Sequence, residues 1–121
     1  MLPHDYLTEK VREAGELCHS KNLPFMLTEW SSSYSSRDAV HDHYFNAPFI
    51  LHAVKRCEGR AEMMSYWVYT DIFEEVKPPL KMFHGGFGLL TVQSVPKPSY
   101  HAFRFLSQLG ERELYCDDKE S

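Results

Sequence analysis

Glu29 closes a short apolar run, Leu23-Pro24-Phe25-Met26-Leu27-Thr28-Glu29-Trp30. A carboxylate at the mouth of a buried strand, flanked by an indole and serines, is placed to attack an electrophilic carbon. Many sugar-cleaving enzymes present a nucleophile in this way. That chemistry needs a second carboxyl group to protonate the leaving oxygen, and no residue of this sequence stands out as the donor. The bland reading of Glu29 is a strand-end acid that reaches solvent or pairs with Arg37. Trp67 is either core packing or a flat partner for the apolar C–H face of a sugar ring. Glu74 and Glu75 are adjacent acids, the usual make-up of a solvated corner. His84 precedes Gly85-Gly86, so it stands at a tight turn where it can line a cleft.

Other chemistries are poorly supported. His41 and His43 are two residues apart, which suits neither a helical i, i+4 metal pair nor a knuckle with cysteines. No metal and no cofactor is expected. Gly85-Gly86-Phe87-Gly88 lacks the spacing of a phosphate loop; its glycines read as a turn that brings backbone close to substrate. Tyr34, Tyr66 and Tyr69 are core or rim residues.

The elements that must position these groups follow from periodicity. In a chain of 121 residues, a helix is predicted from about Asp5 to Lys21. Leu7, Val11, Ala14 and Cys18 share one stripe, and Glu9, Arg12, Glu13 and Glu16 lie outside it. Asn22 supplies the stop. Leu23 to Thr28 has no alternation and reads as a parallel strand buried on both faces. A serine-rich loop from Trp30 to Asp38 is either a flexible connector or the wall of a polar cleft.

A second helix carries Ala47, Ile50, Val54 and Cys57 on one face, with Pro48 confined to its first turn. Glu62 to Thr70 is the next strand. The stretch from Asp71 to Pro96 is long for a connection without regular structure, and such loops are often functional. Pro98 opens a last helix, with Ala102, Leu106 and Leu109 inward and Gly110 at its end. Helix, strand, helix, strand, helix implies an α/β architecture with a parallel sheet. Two such strands leave edges and faces uncovered. The chain is therefore expected to belong to a larger sheet or barrel, or to self-associate.

Composition narrows the partners. With 13 basic and 17 acidic residues and a net charge of −4, and with Lys and Arg scattered, neither nucleic acid nor an anionic membrane is an expected partner. No stretch is long enough to span a bilayer. Cys18, Cys57 and Cys116 are far apart and odd in number, so ordinary thiols are expected. The opening Met1-Leu2-Pro3-His4-Asp5 has no basic or apolar leader region, so no signal peptide is expected. The lean is cytoplasmic, a reading that lapses if the chain begins midway through a longer protein.

Ordered blocks of the sequence resemble glycoside hydrolase family 39, the β-xylosidase group. They are Leu27-Thr28-Glu29-Trp30-Ser31-Ser32-Ser33-Tyr34-Ser35 with Val40-His41-Asp42 and Phe45-Asn46-Ala47, then Ser65-Tyr66-Trp67-Val68-Tyr69-Thr70-Asp71-Ile72-Phe73-Glu74-Glu75. Phe83-His84-Gly85-Gly86-Phe87-Gly88-Leu89 and Pro96-Lys97-Pro98 continue the likeness in the same order. It covers about Leu23 to Tyr115.

The resemblance implies the C-terminal portion of a (β/α)8 TIM barrel: helix 6, strand 7, helix 7, strand 8 and helix 8. A full barrel takes roughly 250 residues, so the barrel would be incomplete. Residues 1–115 would be the partial catalytic domain and residues 116–121 a polar tail. It implies a retaining glycosidase acting on a xyloside, with Glu29 as nucleophile and Trp67 as the floor of the sugar subsite. Glu74 and Glu75 would reach sugar hydroxyls, and a cis peptide would follow Trp67. The family's Asn-Glu-Pro, which carries the acid/base, does not occur here, so with half of the barrel also absent the chain alone is not expected to turn over a glycoside. The alternative is a non-catalytic fragment that binds carbohydrate or complements a missing N-terminal half-barrel. Whether xylose, arabinose or a uronic acid fits stays open.

Overall fold

The structure, a computed structural model, describes residues 6–73, 76–77 and 79–115. The Cys116–Ser121 tail and the pair Glu74 and Glu75 lie outside the described residues. The predicted alternation is present, as α1 (Tyr6–Ser20), β1 (Met26–Trp30), a 3-10 turn (Ala39–Asp42), α2 (Asn46–Cys57), β2 (Met63–Tyr66) and α3 (Pro98–Leu106). The two strands pair in parallel. No described helix is long and apolar enough to cross a membrane.

The first helix buries Thr8, Val11 and Gly15 and half-buries Leu7, Ala14 and Cys18, while its acidic face stays in solvent. Asn22 ends it in the left-handed region, with φ 56°. The Asn22 N–H donates to the His19 carbonyl at 2.9 Å and the Leu23 N–H to the Cys18 carbonyl at 3.0 Å. That is a Schellman stop, which satisfies carbonyls the helix would otherwise leave bare.

Because Leu23 is spent in that stop and Pro24 has no N–H to give a ladder, β1 begins only at Met26. Nor is β1 buried on both faces as its apolar run suggested. Met26, Thr28 and Glu29 are exposed, while Leu27 is half-buried and Trp30 buried. One face of the pair meets helices, and the other is open.

The core lies on the helix side. Trp30, Ile50, Ala53 and Ala102 form its centre, with Leu27, Val54, Met64, Tyr66 and Phe103 packed around them. Trp30 meets Tyr66 edge-on at 5.2 Å, and Tyr66 meets Phe103 at 5.5 Å. Edge contacts of this kind add roughly 0.5–1.5 kcal/mol beyond area burial. Cys57, the last residue of α2, is also buried, and burial pushes its thiol pKa up.

Pro48 falls in the first turn of α2, as its ring requires. Glu62, just before β2, ties the strands to α1. Its carboxylate accepts from His19 Nε2 at 3.0 Å and from the Phe25 N–H at 2.6 Å. Those two contacts hold its pKa below the usual carboxylate range.

Two expectations fail at chain ends. β2 stops at Tyr66 rather than Thr70; beyond it, Thr70 keeps only an isolated bridge to Leu90. The last helix ends at Leu106 rather than near Gly110, and Leu109 is 71% exposed instead of inward. The Ser107 hydroxyl turns back to the Arg104 carbonyl at 2.8 Å, satisfying one of the last carbonyls as the helix stops.

Candidate active site

Strand pairing decides where Glu29 points. Leu27 pairs with Met64 and Trp30 with Tyr66, so Thr28 and Glu29 together oppose Ser65. One extra residue in β1 is a β-bulge, a device that re-aims a side chain. Leu27, Trp30, Met64 and Tyr66 face the helices. Glu29, next to buried Trp30, lies exposed near the C-terminal end of its strand.

Trp67 stands beside it. The Trp67 N–H donates to the Trp30 carbonyl at 2.9 Å, which carries the parallel ladder one residue past β2. Its half-buried ring meets Phe73 edge-on at 5.4 Å. The Trp67–Val68 peptide is cis. Glu29 and Trp67 thus emerge from the same end of the sheet on adjoining strands.

The surroundings differ from expectation. The Ser31 hydroxyl donates to the Tyr66 hydroxyl at 3.4 Å and Ser33 Oγ accepts from the Ser35 N–H at 3.2 Å. The serines therefore brace their own loop and the core tyrosine rather than Glu29. Arg37, the partner offered by the bland reading of Glu29, donates to the Lys77 carbonyl.

His84 is set by a different group of residues. A Cβ on Gly86 would stand 2.7 Å from its Nε2 and close to the Asp71 carboxylate. His84 lines a cleft of about 850 Å³ with Arg37, Ala39, Asp42, Leu80 and Phe83. Neither Glu29 nor Trp67 lines that cleft. Among the described residues, no cluster of three His, Cys, Asp or Glu side chains forms a metal centre.

The glycine loop does not hold its backbone open for a ligand. Gly85 packs on the Asp38 main chain, and Gly86 and Gly88 pack on Asp71. Its neighbours are the functional-looking residues that sequence reasoning passed over. Lys97 is wholly buried and lies 2.6 Å from Asp42 Oδ1 and 3.1 Å from Asp71 Oδ2. Its Nζ also donates to the Gly86 carbonyl at 2.7 Å. One signal was available: Lys97 is the N-cap of α3. A cation there opposes the helix dipole, so it calls for acidic partners.

Comparison with known proteins fits this geometry. Residues 2–121 match the family model described as Glycosyl hydrolases family 39. The chain belongs to that family.

A β-xylosidase of Geobacillus stearothermophilus is 43% identical over 96 residues, covering 79% of this chain and 19% of that protein. One from Caldicellulosiruptor saccharolyticus is 44% identical over 116 residues, covering 93% of this chain and 23% of that protein. Among solved structures, a family-39 β-xylosidase from Caulobacter crescentus superposes with a TM-score of 0.86 at 43% identity, over 93% of this chain and 26% of that one. The family-39 enzyme of Xanthomonas axonopodis pv. citri does so with a TM-score of 0.90 at 42% identity, over 98% and 24% respectively. The chain spans about a fifth of the length of the curated relatives it matches.

Proposed function

We propose that this chain is the nucleophile-bearing part of a retaining β-xylosidase. Its five main elements correspond to helix 6, strand 7, helix 7, strand 8 and helix 8 of a (β/α)8 barrel. Residues 1–115 form the partial catalytic domain. The observation that carries the reading is Glu29, exposed on the helix-free face at the C-terminal end of β1 and beside Trp67. Barrel enzymes build their sites at that end of the strands.

A Glu29 oxygen attacks the anomeric carbon of a terminal β-linked xylose while the bond to the leaving oxygen breaks. A carboxylic acid about 5–5.5 Å from the nucleophile gives that oxygen its proton. Water then attacks the same carbon and releases Glu29. Trp67 is the floor under the sugar, Glu74 and Glu75 accept from its hydroxyls, and His84 lines the approach. The acid is not supplied by this sequence, which contains no Asn-Glu-Pro.

That division of labour suggests a test. A dinitrophenyl 2-deoxy-2-fluoro-β-xyloside has a leaving group that departs without protonation, so the first step needs only the nucleophile. The chain should gain one sugar adduct mapping to Glu29, and Glu29→Gln should gain none. An adduct on another carboxylate, or none, overturns the assignment. Saturable xylose binding without an adduct favours the alternative, a carbohydrate-binding or half-barrel complementing fragment. The uncovered face of the sheet is the observation that speaks for it.

A further inference from the structure

Four consecutive residues, Gly85 to Gly88, are each held by one buried polar group of residues outside the proposed chemistry. The Gly85 N–H donates to Asp42 Oδ2 at 2.6 Å, and its carbonyl accepts from His41 Nδ1 at 2.7 Å and from the Asp38 N–H at 3.1 Å. The Gly86 carbonyl accepts from Lys97 Nζ at 2.7 Å. The Phe87 ring lies 4.7 Å from the His41 imidazole, and the Gly88 N–H donates to Asp71 Oδ1 at 2.7 Å. His41, Asp71 and Lys97 are all at least 98% buried.

His41 also faces the other loop. Its Nε2 lies 3.4 Å from the carbonyl of Ser33, on the segment that follows Glu29. A carbonyl can only accept, so the shorter contact to Gly85 takes the proton on Nδ1, and the longer approach of Nε2 to Ser33 is a packing contact rather than a second hydrogen bond. The imidazole therefore spans the gap between the serine loop and the glycine loop, with Asp42 and Lys97 fixing the second of them from beneath.

We propose that His41 and Asp42 are positioning residues that lock the Gly85–Gly88 loop, with His84 at its start, against the serine loop that follows Glu29. Neither touches the reacting atoms. The link to sugar rests on the nucleophile reading of Glu29, whereas the lock itself does not.

The experiment compares the full chain with His41→Leu, His41→Asn and His41→Gln. Asparagine returns a donor where Nδ1 was, and glutamine returns one nearer the Nε2 side. Amide hydrogen exchange should speed up about tenfold at Gly85 and Gly88 in His41→Leu, the loss expected from one buried hydrogen bond. Core amides of α1 and α2 should not change. His41→Asn should stay within about twofold of the parent, and His41→Gln should not.

Labelling by the fluoro-xyloside should shift in parallel. Half-saturation should need about tenfold more reagent in His41→Leu, with the limiting rate unchanged. Unchanged loop exchange, exchange that rises equally throughout α1 and α2, or rescue by glutamine as good as by asparagine would overturn the proposal. Should His41→Leu not fold, the two polar variants carry the comparison. If the parent chain takes no label, the nucleophile reading fails and exchange alone still decides the lock.

Discussion

Gly85 can carry no side chain without cost. Its φ is +79°, and a Cβ would lie 2.7 Å from main-chain atoms of Asp38. Gly85→Ala should lose roughly 1–3 kcal/mol, seen as a lower urea midpoint at unchanged slope. Lys97 is a harsher case, because removing it leaves Asp42 and Asp71 without their cation. Lys97→Met should cost roughly 3–5 kcal/mol. Adding Asp42→Asn and Asp71→Asn should restore part of that, since an amide oxygen still accepts from the Gly85 and Gly88 N–H groups.

Asp38 offers a milder, pH-dependent test. The Val40 N–H, and then the Ser33 hydroxyl, hold its carboxyl below the usual range. A depressed pKa means that the folded state favours the ionised form. The stabilisation is present above the unfolded pKa and fades as pH falls through the folded one. The Tm advantage over Asp38→Ala should therefore hold from neutral pH down to about 5 and close below about 4.

Among the elements, the bulge in β1 is the feature with a measurable role. Deleting Thr28 would leave one residue opposite Ser65 and restore simple alternation, with Trp30 still toward the core. Glu29 would stay on the open face but move by about one residue rise, roughly 3.3 Å, relative to the rest of the strand. The shortened chain should keep its circular dichroism while labelling of Glu29 slows about 100-fold or more.

The order of elements was legible from periodicity, and so was the stop at Asn22. The limits of β1 were not, because a Schellman stop and a proline occupy residues that composition alone assigns to the strand. An unbroken apolar run predicts burial on both faces. Its open side reflects which neighbours are present, a matter that a strand's own residues do not encode. That Glu29 and Trp67 emerge at the same end of adjoining strands agrees with the order of the strands, while the roles proposed for them come from the likeness of whole blocks. The Lys97–Asp71 contact was not, since its partners lie 26 residues apart and pair only through the fold.

At the scale of the molecule, the two-stranded parallel sheet has helices on one face only among the described residues. Met26, Met63, Tyr69, Ile72 and Leu80 are among the large apolar side chains left in solvent. Surfaces of this kind mark contact with another body. Light scattering on the isolated chain should give a mass above its 14.2 kDa. A monodisperse species at that mass would show that the uncovered face is tolerated in water.

Burial of Lys97 also supplies a sentinel. Acylating reagents need a free amine in contact with solvent, and this ammonium has neither exposure nor a spare direction. Brief treatment of the native chain should tag the lysines at its surface and spare this one. The slow appearance of its tag would then time the opening of the whole structure, with no probe added.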